Sequence, residues 1–236
     1  QLCQTVAQSA PISSASTEST PKILLTKTPS VRGLDNFFDL FPDAYLIVII
    51  RDGRALVESG VRSFDWNYEN ATRRWTKNAQ TISNLKNKYK DSSRKLLVLR
   101  YEDLLKDEKS ELIKVFDFLD LDANRFDFNR AKSLGVIGSS DLKKQGSDVH
   151  WEVKRKSQEF NPLERFSNWN QRKHRRFNWI AGTRMTEFGY KLEDSNHNKY
   201  LHVFENKLLD SMWQFRRIYS RVIQKIEGSL NKSSLT

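Results

Sequence analysis

Residues 45–50 (YLIVII) form a continuous apolar run rich in β-branched residues, and Asp52 follows at once in position to cap a helix. A run of this kind reads as a strand buried on both faces, the environment of a parallel sheet covered by helices. The surrounding chain repeats the alternation. Lys22–Thr26 is a short apolar stretch ended by Lys27-Thr28-Pro29, and Gly33–Phe41 carries Leu34, Phe37, Phe38 and Phe41 at helical spacing before Pro42. Ala55, Val57 and Val61 predict a helix after Asp52, and Trp75, Ala79, Ile82 and Leu85 predict a longer one over 69–89. Lys95–Leu99 is the next buried strand, and Leu112, Val115, Phe116 and Leu119 mark an amphipathic helix over 110–119. Strands alternating with helices imply βαβ units, so the expected fold class is α/β with a mainly parallel sheet. Trp75 is expected in the core.

Beyond Phe128 the pattern weakens until a helix expected near 170–187. A last helix, about 200–227, places Leu208, Met212, Phe215, Tyr219, Val222 and Ile226 at alternating spacings of four and three, a heptad seam. That seam serves either to pack back on the domain or to form a homodimer. The organisation expected is a tail or loop over 1–21, an α/β domain over 22–190 and a helical extension over 191–236.

Composition narrows the class. With 38% hydrophobic residues, six Trp and fourteen Phe in 236 residues, the chain can bury a core and is not a disordered polypeptide. Its longest apolar run, Leu46–Ile50, is far short of the roughly 18 residues of a membrane span. A single cysteine, Cys3, excludes an internal disulfide framework and a Cys-based zinc site, and the four His residues have no ligand spacing. Charge is uneven: residues 1–150 carry 23 Lys/Arg against 20 Asp/Glu, whereas residues 151–236 carry 17 against 9. A C-terminal part at +8 favours an anionic partner, whether nucleotide, nucleic acid or acidic substrate.

Ligands of open parallel sheets bind at the carboxyl ends of strands. Three such ends here carry cations: Lys27, then Arg51-Asp52-Gly53-Arg54, then Arg100-Tyr101-Glu102-Asp103. Taken singly, Arg51 is as well explained by an ion pair with Asp52 or Glu102. Its spacing to Ser59, about two turns into the following helix, allows a guanidinium and a hydroxyl to grip one phosphate from two sides. No Walker A pattern and no GxGxxG occurs in the chain.

The stretch LIVIIRDGRALVES (46–59) resembles the 3′-phosphate-binding segment of PAPS-dependent sulfotransferases, with Arg51 and Ser59 at the family's spacing. The Arg-Asp-Gly-Arg-Ala form is most similar to the tyrosylprotein sulfotransferase branch. Lys27-Thr28-Pro29 resembles the family's Lys-Ser/Thr/Asp-Pro strand end. RYEDL (100–104), followed by a helix ending in FDFLDL, resembles the stretch whose Tyr contacts adenine, here Tyr101. Gly138-Ser139-Ser140 resembles the Ser-bearing loop that closes over the nucleotide, and Phe188-Gly189-Tyr190 resembles the end of the domain.

The resemblance implies a P-loop-NTPase-like sheet, PAPS as sulfuryl donor with no metal, and an acceptor hydroxyl or amine on a carbohydrate, peptide or small molecule. It implies Lys27 and Ser139 as catalytic residues, and Arg51, Ser59, Tyr101, Ser140 and Lys143 as nucleotide-binding residues. Nothing before Lys22 resembles the family's 5′-phosphosulfate loop, so a missing N-terminal unit is expected. Two branch positions also depart. Ser63, with Arg62 one place earlier, stands where a further Arg is found, and Asn168 before Trp169 stands where a Lys is found, with Arg165 nearby. The competing reading is a non-catalytic nucleotide- or RNA-binding module, in which Trp169, Phe177 and Trp179 stack bases among Arg172–Arg176. The single cysteine fits a cytoplasmic bacterial protein and a lumenal enzyme domain equally well.

Overall fold

Two parallel strands hold the centre of the molecule. In the computed structural model, β1 (Leu46–Ile50) pairs with β2 (Leu96–Arg100) in register from Leu46 beside Leu96 to Ile50 beside Arg100. The structure describes residues 24–28, 30–92, 95–133, 136–137, 153–154, 163, 165–193 and 199–233. By contact the chain divides into Gln1–Ser30 and Val31–Thr236.

In the first unit, residues 24–28 form no strand, contrary to the expectation for Lys22–Thr26, and Leu24 and Leu25 are exposed. The Ser30 amide instead donates to Thr28 Oγ1 at 3.3 Å, a local turn that competes with strand pairing.

In the second unit, a 3-10 turn (Leu34–Asn36) enters the short helix α1 (Phe37–Leu40), whose Phe38 is buried edge-on against Tyr89. The β1–β2 crossover is made by α2 (Gly53–Phe64) and the long α3 (Tyr68–Lys88). Asp52 caps α2 by accepting from the Arg54 amide at 2.8 Å, and Asn67 caps α3 by accepting from Asn70 at 3.0 Å. After β2 come α4 (Tyr101–Lys106), α5 (Glu108–Phe118) and α6 (Phe128–Ser133). A two-residue antiparallel pair, β3 (Val136–Ile137) with β4 (Val153–Lys154), precedes α7 (Gln171–Glu187) and α8 (Lys199–Ser233). The fold is α/β, mostly helical, with its parallel strands flanked by helices.

The core lies where α3 and α7 meet β1: Val48, Ile50, Val57, Trp75, Leu85, Phe177 and Met185 are all buried there. Trp75 takes the core place expected of it. Strand β1 is not buried on both faces, since Ile49 is 56% exposed. Phe177 and Trp169, two of the three aromatics offered for base stacking, are inside the protein, which withdraws them from a stacking platform.

Gly53 permits a close approach at the start of α2. A Cβ there would sit 2.7 Å from Trp75 Cδ2 and 2.8 Å from Phe177 Cζ, so glycine permits the start of α2 to press onto those rings. Gly53→Ala is expected to cost about 1–3 kcal/mol, as for other overpacked sites. Urea denaturation checks this, and an unchanged midpoint would show that the two rings can give way.

Helix α8 is held by polar groups. Buried Arg176 donates to Glu69, to Asp210 at 2.7 Å and to Asn206 Oδ1 at 2.9 Å; the Trp179 indole donates to Asp210 at 2.9 Å. Asn206, Asp210 and Trp213 therefore face the domain. The heptad seam does not pack back on it: Leu208, Phe215, Tyr219, Val222 and Ile226 are exposed. No helix among the described residues is long and apolar enough to cross a membrane.

Candidate functional site

The parallel register sets the first pair of site residues. Because Ile50 lies beside Arg100, the next residues along, Arg51 and Tyr101, emerge together at the carboxyl ends of the two strands. The Arg51 guanidinium carbon sits 4.9 Å from the centre of the Tyr101 ring. The Arg51 carbonyl is fixed by the Trp75 indole, which donates to it at 3.0 Å, so the core tryptophan anchors the strand end.

The carboxylates nearby are committed to other groups. Asp52, besides capping α2, takes a forked contact from Arg54, Nε to Oδ1 at 3.1 Å and Nη2 to Oδ2 at 2.7 Å. Glu102 accepts from the Asp52 amide at 2.9 Å and from the Tyr190 hydroxyl at 2.8 Å. Asp52 and Glu102, the carboxylates that sequence offered as partners for Arg51, are thus each held by other groups as well. Arg54 is buried and lies over the Phe166 ring at 4.2 Å, a packing role.

The third strand-end cation turns aside. Arg100 lies over the Tyr190 ring at 4.5 Å and 3.7 Å from Asp103. Burial, with the charge of Glu102 and its hydrogen bond, raises the Tyr190 hydroxyl far above the ordinary tyrosine value, keeping it a donor to Glu102. Sequence reading took the Phe188–Tyr190 segment only as the end of the domain. The structure makes it the floor of the strand ends.

Ser59 lies in the second turn of α2, and its hydroxyl accepts from Arg165 Nη1 at 3.0 Å. Arg165, which sequence placed only near Asn168, is thus the cation against Ser59. Arg62, the other displaced cation, is occupied by Glu58 at 2.7 Å. Glu58 is buried beside Ser59 and accepts from the Trp169 indole at 2.6 Å, from Lys173 at 2.9 Å and from Arg62. Burial pushes its carboxyl up, but the bonds from Trp169, Lys173 and Arg62 outweigh this and hold it below the ordinary glutamate value.

Sequence reasoning missed Glu58 and the reach of Arg165, gave Glu102 only as a partner for Arg51, and gave Tyr190 only as the end of the domain. Only the i,i+4 spacing of Glu58 and Arg62 was available to signal any of it. Among the other expected site residues, Lys27 is exposed in the first unit, and Ser139, Ser140 and Lys143 lie outside the described residues. Among the described residues no group of His, Cys, Asp and Glu is placed to hold a metal ion.

A family model described as "Sulfotransferase family" matches residues 2–125, just over half of the 236 residues. The chain belongs to the sulfotransferase family. The match includes Lys27, Arg51, Ser59 and Tyr101; it begins upstream of Lys22, where the sequence motifs start, and it ends before Ser139, Ser140, Lys143 and Arg165. No curated protein matches the chain. Family membership supports a transferase, and PAPS is the sulfuryl donor of the family in general.

Proposed function

We propose that this chain transfers the sulfuryl group of PAPS to a hydroxyl or amine of an acceptor and releases adenosine 3′,5′-bisphosphate. The observation that carries the reading is the pairing of Arg51 with Tyr101 at adjacent parallel strand ends in a chain of the sulfotransferase family. The donor set suits the nucleotide. An arginine fork matches phosphate oxygens, an aromatic ring suits adenine, and Ser59 with Arg165 adds a hydroxyl and a second cation. The Asp52 and Glu102 carboxylates, engaged by Arg54, a backbone amide and Tyr190, are partly neutralised toward an incoming anion. Because Asp52 already caps α2, selection of the phosphate falls to side chains more than to the helix dipole.

PAPS supplies the activated sulfuryl group, and the protein's share is orientation and stabilisation of charge on the leaving oxygen. By resemblance Lys27 and Ser139 donate to the transferring group, and Ser140 and Lys143 close over the nucleotide.

Calorimetric titration tests the reading. Adenosine 3′,5′-bisphosphate is expected to bind about 100-fold more tightly than 5′-AMP, the upper part of what a charged hydrogen-bond set contributes. Ser59→Ala is expected to lose about three- to tenfold of the bisphosphate affinity with little change for 5′-AMP. Equal binding of the two nucleotides by the wild type would reject the proposal.

A further inference from the structure

Arg216, Arg217 and Arg221 of α8 face a concavity beside the polar contact of α8 with the domain. A cavity of about 650 Å³ lies between the start of α3, the start of α7 and the middle of α8, a size typical of ligand sites. Arg172, Arg216, Arg217 and Arg221 line it, together with Asn70 and Trp213. Its walls treat positive charge in two ways. On the domain side, Arg176 is neutralised by Glu69 and Asp210, and Arg172 pairs with Glu205 at 2.9 Å. On α8, by contrast, among the described residues no carboxylate pairs with Arg216, Arg217 or Arg221. Arg217 and Arg221 stand at i,i+4, where like charges repel by a few tenths of a kcal/mol. Three unneutralised guanidiniums within two helical turns, facing a cavity, are an arrangement that an anion relieves.

We propose that this groove binds a sulfated oligosaccharide chain, holding the acceptor or product by sulfate groups already on it. Arginine forks match sulfate oxygens better than the point charge of lysine does. The cavity also offers the neutral side chains of Asn67, Asn70 and Ser220, which suit the hydroxyls of a sugar. An acidic peptide fits less well. Its backbone needs amide partners, and this groove is walled by helices with no strand edge to pair with. The assignment of the ligand as acceptor rests on the sulfotransferase reading, whereas the binding itself does not.

The test is calorimetric titration of the full chain with a heparin-derived hexasaccharide, its unsulfated counterpart and a hexaglutamate peptide. Three proteins are compared: wild type, Arg217→Gln/Arg221→Gln, and Lys86→Gln/Lys90→Gln as a variant of equal charge change near the far end of α3. The sulfated hexasaccharide is expected to bind the wild type best. Affinity should fall about tenfold in the groove variant and less than about twofold in the lysine variant. Equal weakening in both variants, or no binding by the wild type, overturns the groove. Hexaglutamate binding as tightly as the hexasaccharide overturns the ligand class and makes the site one for acidic peptides. Adenosine 3′,5′-bisphosphate is titrated in parallel, and the groove variant should bind it like the wild type. Wild type that binds the hexasaccharide but shows no preference for the bisphosphate over 5′-AMP fails the proposed function and leaves the groove standing.

Discussion

Arg51→Ala is expected to bind adenosine 3′,5′-bisphosphate about 100-fold more weakly than the wild type, while affinity for 5′-AMP falls less than about threefold. A charge-assisted hydrogen bond contributes roughly 1.5–3 kcal/mol, and about 1.4 kcal/mol is tenfold in affinity. The effect should be selective because only the bisphosphate carries the 3′-phosphate that the guanidinium fork is proposed to hold. The Asp52 and Glu102 carboxylates are held by Arg54, Tyr190 and a backbone amide as well. The bond from Trp75 to residue 51 reaches the carbonyl, which alanine keeps. Arg51→Lys separates charge from shape: it retains the cation but loses the fork and the planar contact with Tyr101, and an intermediate loss of about tenfold is expected. Calorimetry with both nucleotides, with the thermal midpoint recorded for each variant, checks the result. Equal losses for the two nucleotides would mean that Arg51 supports the strand end and does not read the 3′-phosphate.

The α/β class and the helix caps were legible because they are local. A β-branched run, an Asp two residues beyond it and a 3.6-residue stripe are decided within a dozen residues, and β1, α2, α3 and α7 begin within one or two positions of where these signals place them. The pairing of Arg51 with Tyr101 was half legible, since each follows a strand but only the register sets them side by side. The rest of the site is non-local. Ser59 meets Arg165 across 106 residues and Glu58 meets Trp169 across 111, and a single sequence carries no signal for such pairs. The seam on α8 shows the reverse failure. Its periodicity is a true apolar stripe, but periodicity gives a face without naming what the face meets, and here the domain takes the polar side.

Glu58→Ala is expected to lose about 3 kcal/mol of stability. Removing one partner of a buried ion pair can cost about 3–5 kcal/mol. Lys173 and Arg62 are partly exposed and can turn to water, which lowers that figure. The buried Trp169 indole has no such escape and is left without an acceptor, worth about 1–3 kcal/mol. Glu58→Gln keeps an acceptor for Trp169 and loses only the charge, so a cost of about 1–2 kcal/mol is expected.

The pH dependence carries a definite sign. Glu58 has a folded value below its unfolded one, so its ionised form stabilises the fold fully above about pH 4.3, the ordinary glutamate value, and progressively less as pH falls through the depressed folded value. Urea midpoints of wild type and Glu58→Gln should therefore differ at pH 7 and converge as the medium is acidified below pH 4. A gap that stayed constant with pH would show that the charge of Glu58 is not what matters. The loss should also reach the nucleotide. Glu58 fixes Trp169 and holds Arg62, which donates to the Arg165 carbonyl at 3.4 Å, and Arg165 is the residue on Ser59. Glu58→Ala should weaken adenosine 3′,5′-bisphosphate binding at temperatures where the fold is intact, because it frees the Ser59 side of the site while Arg51 and Tyr101 stay in place.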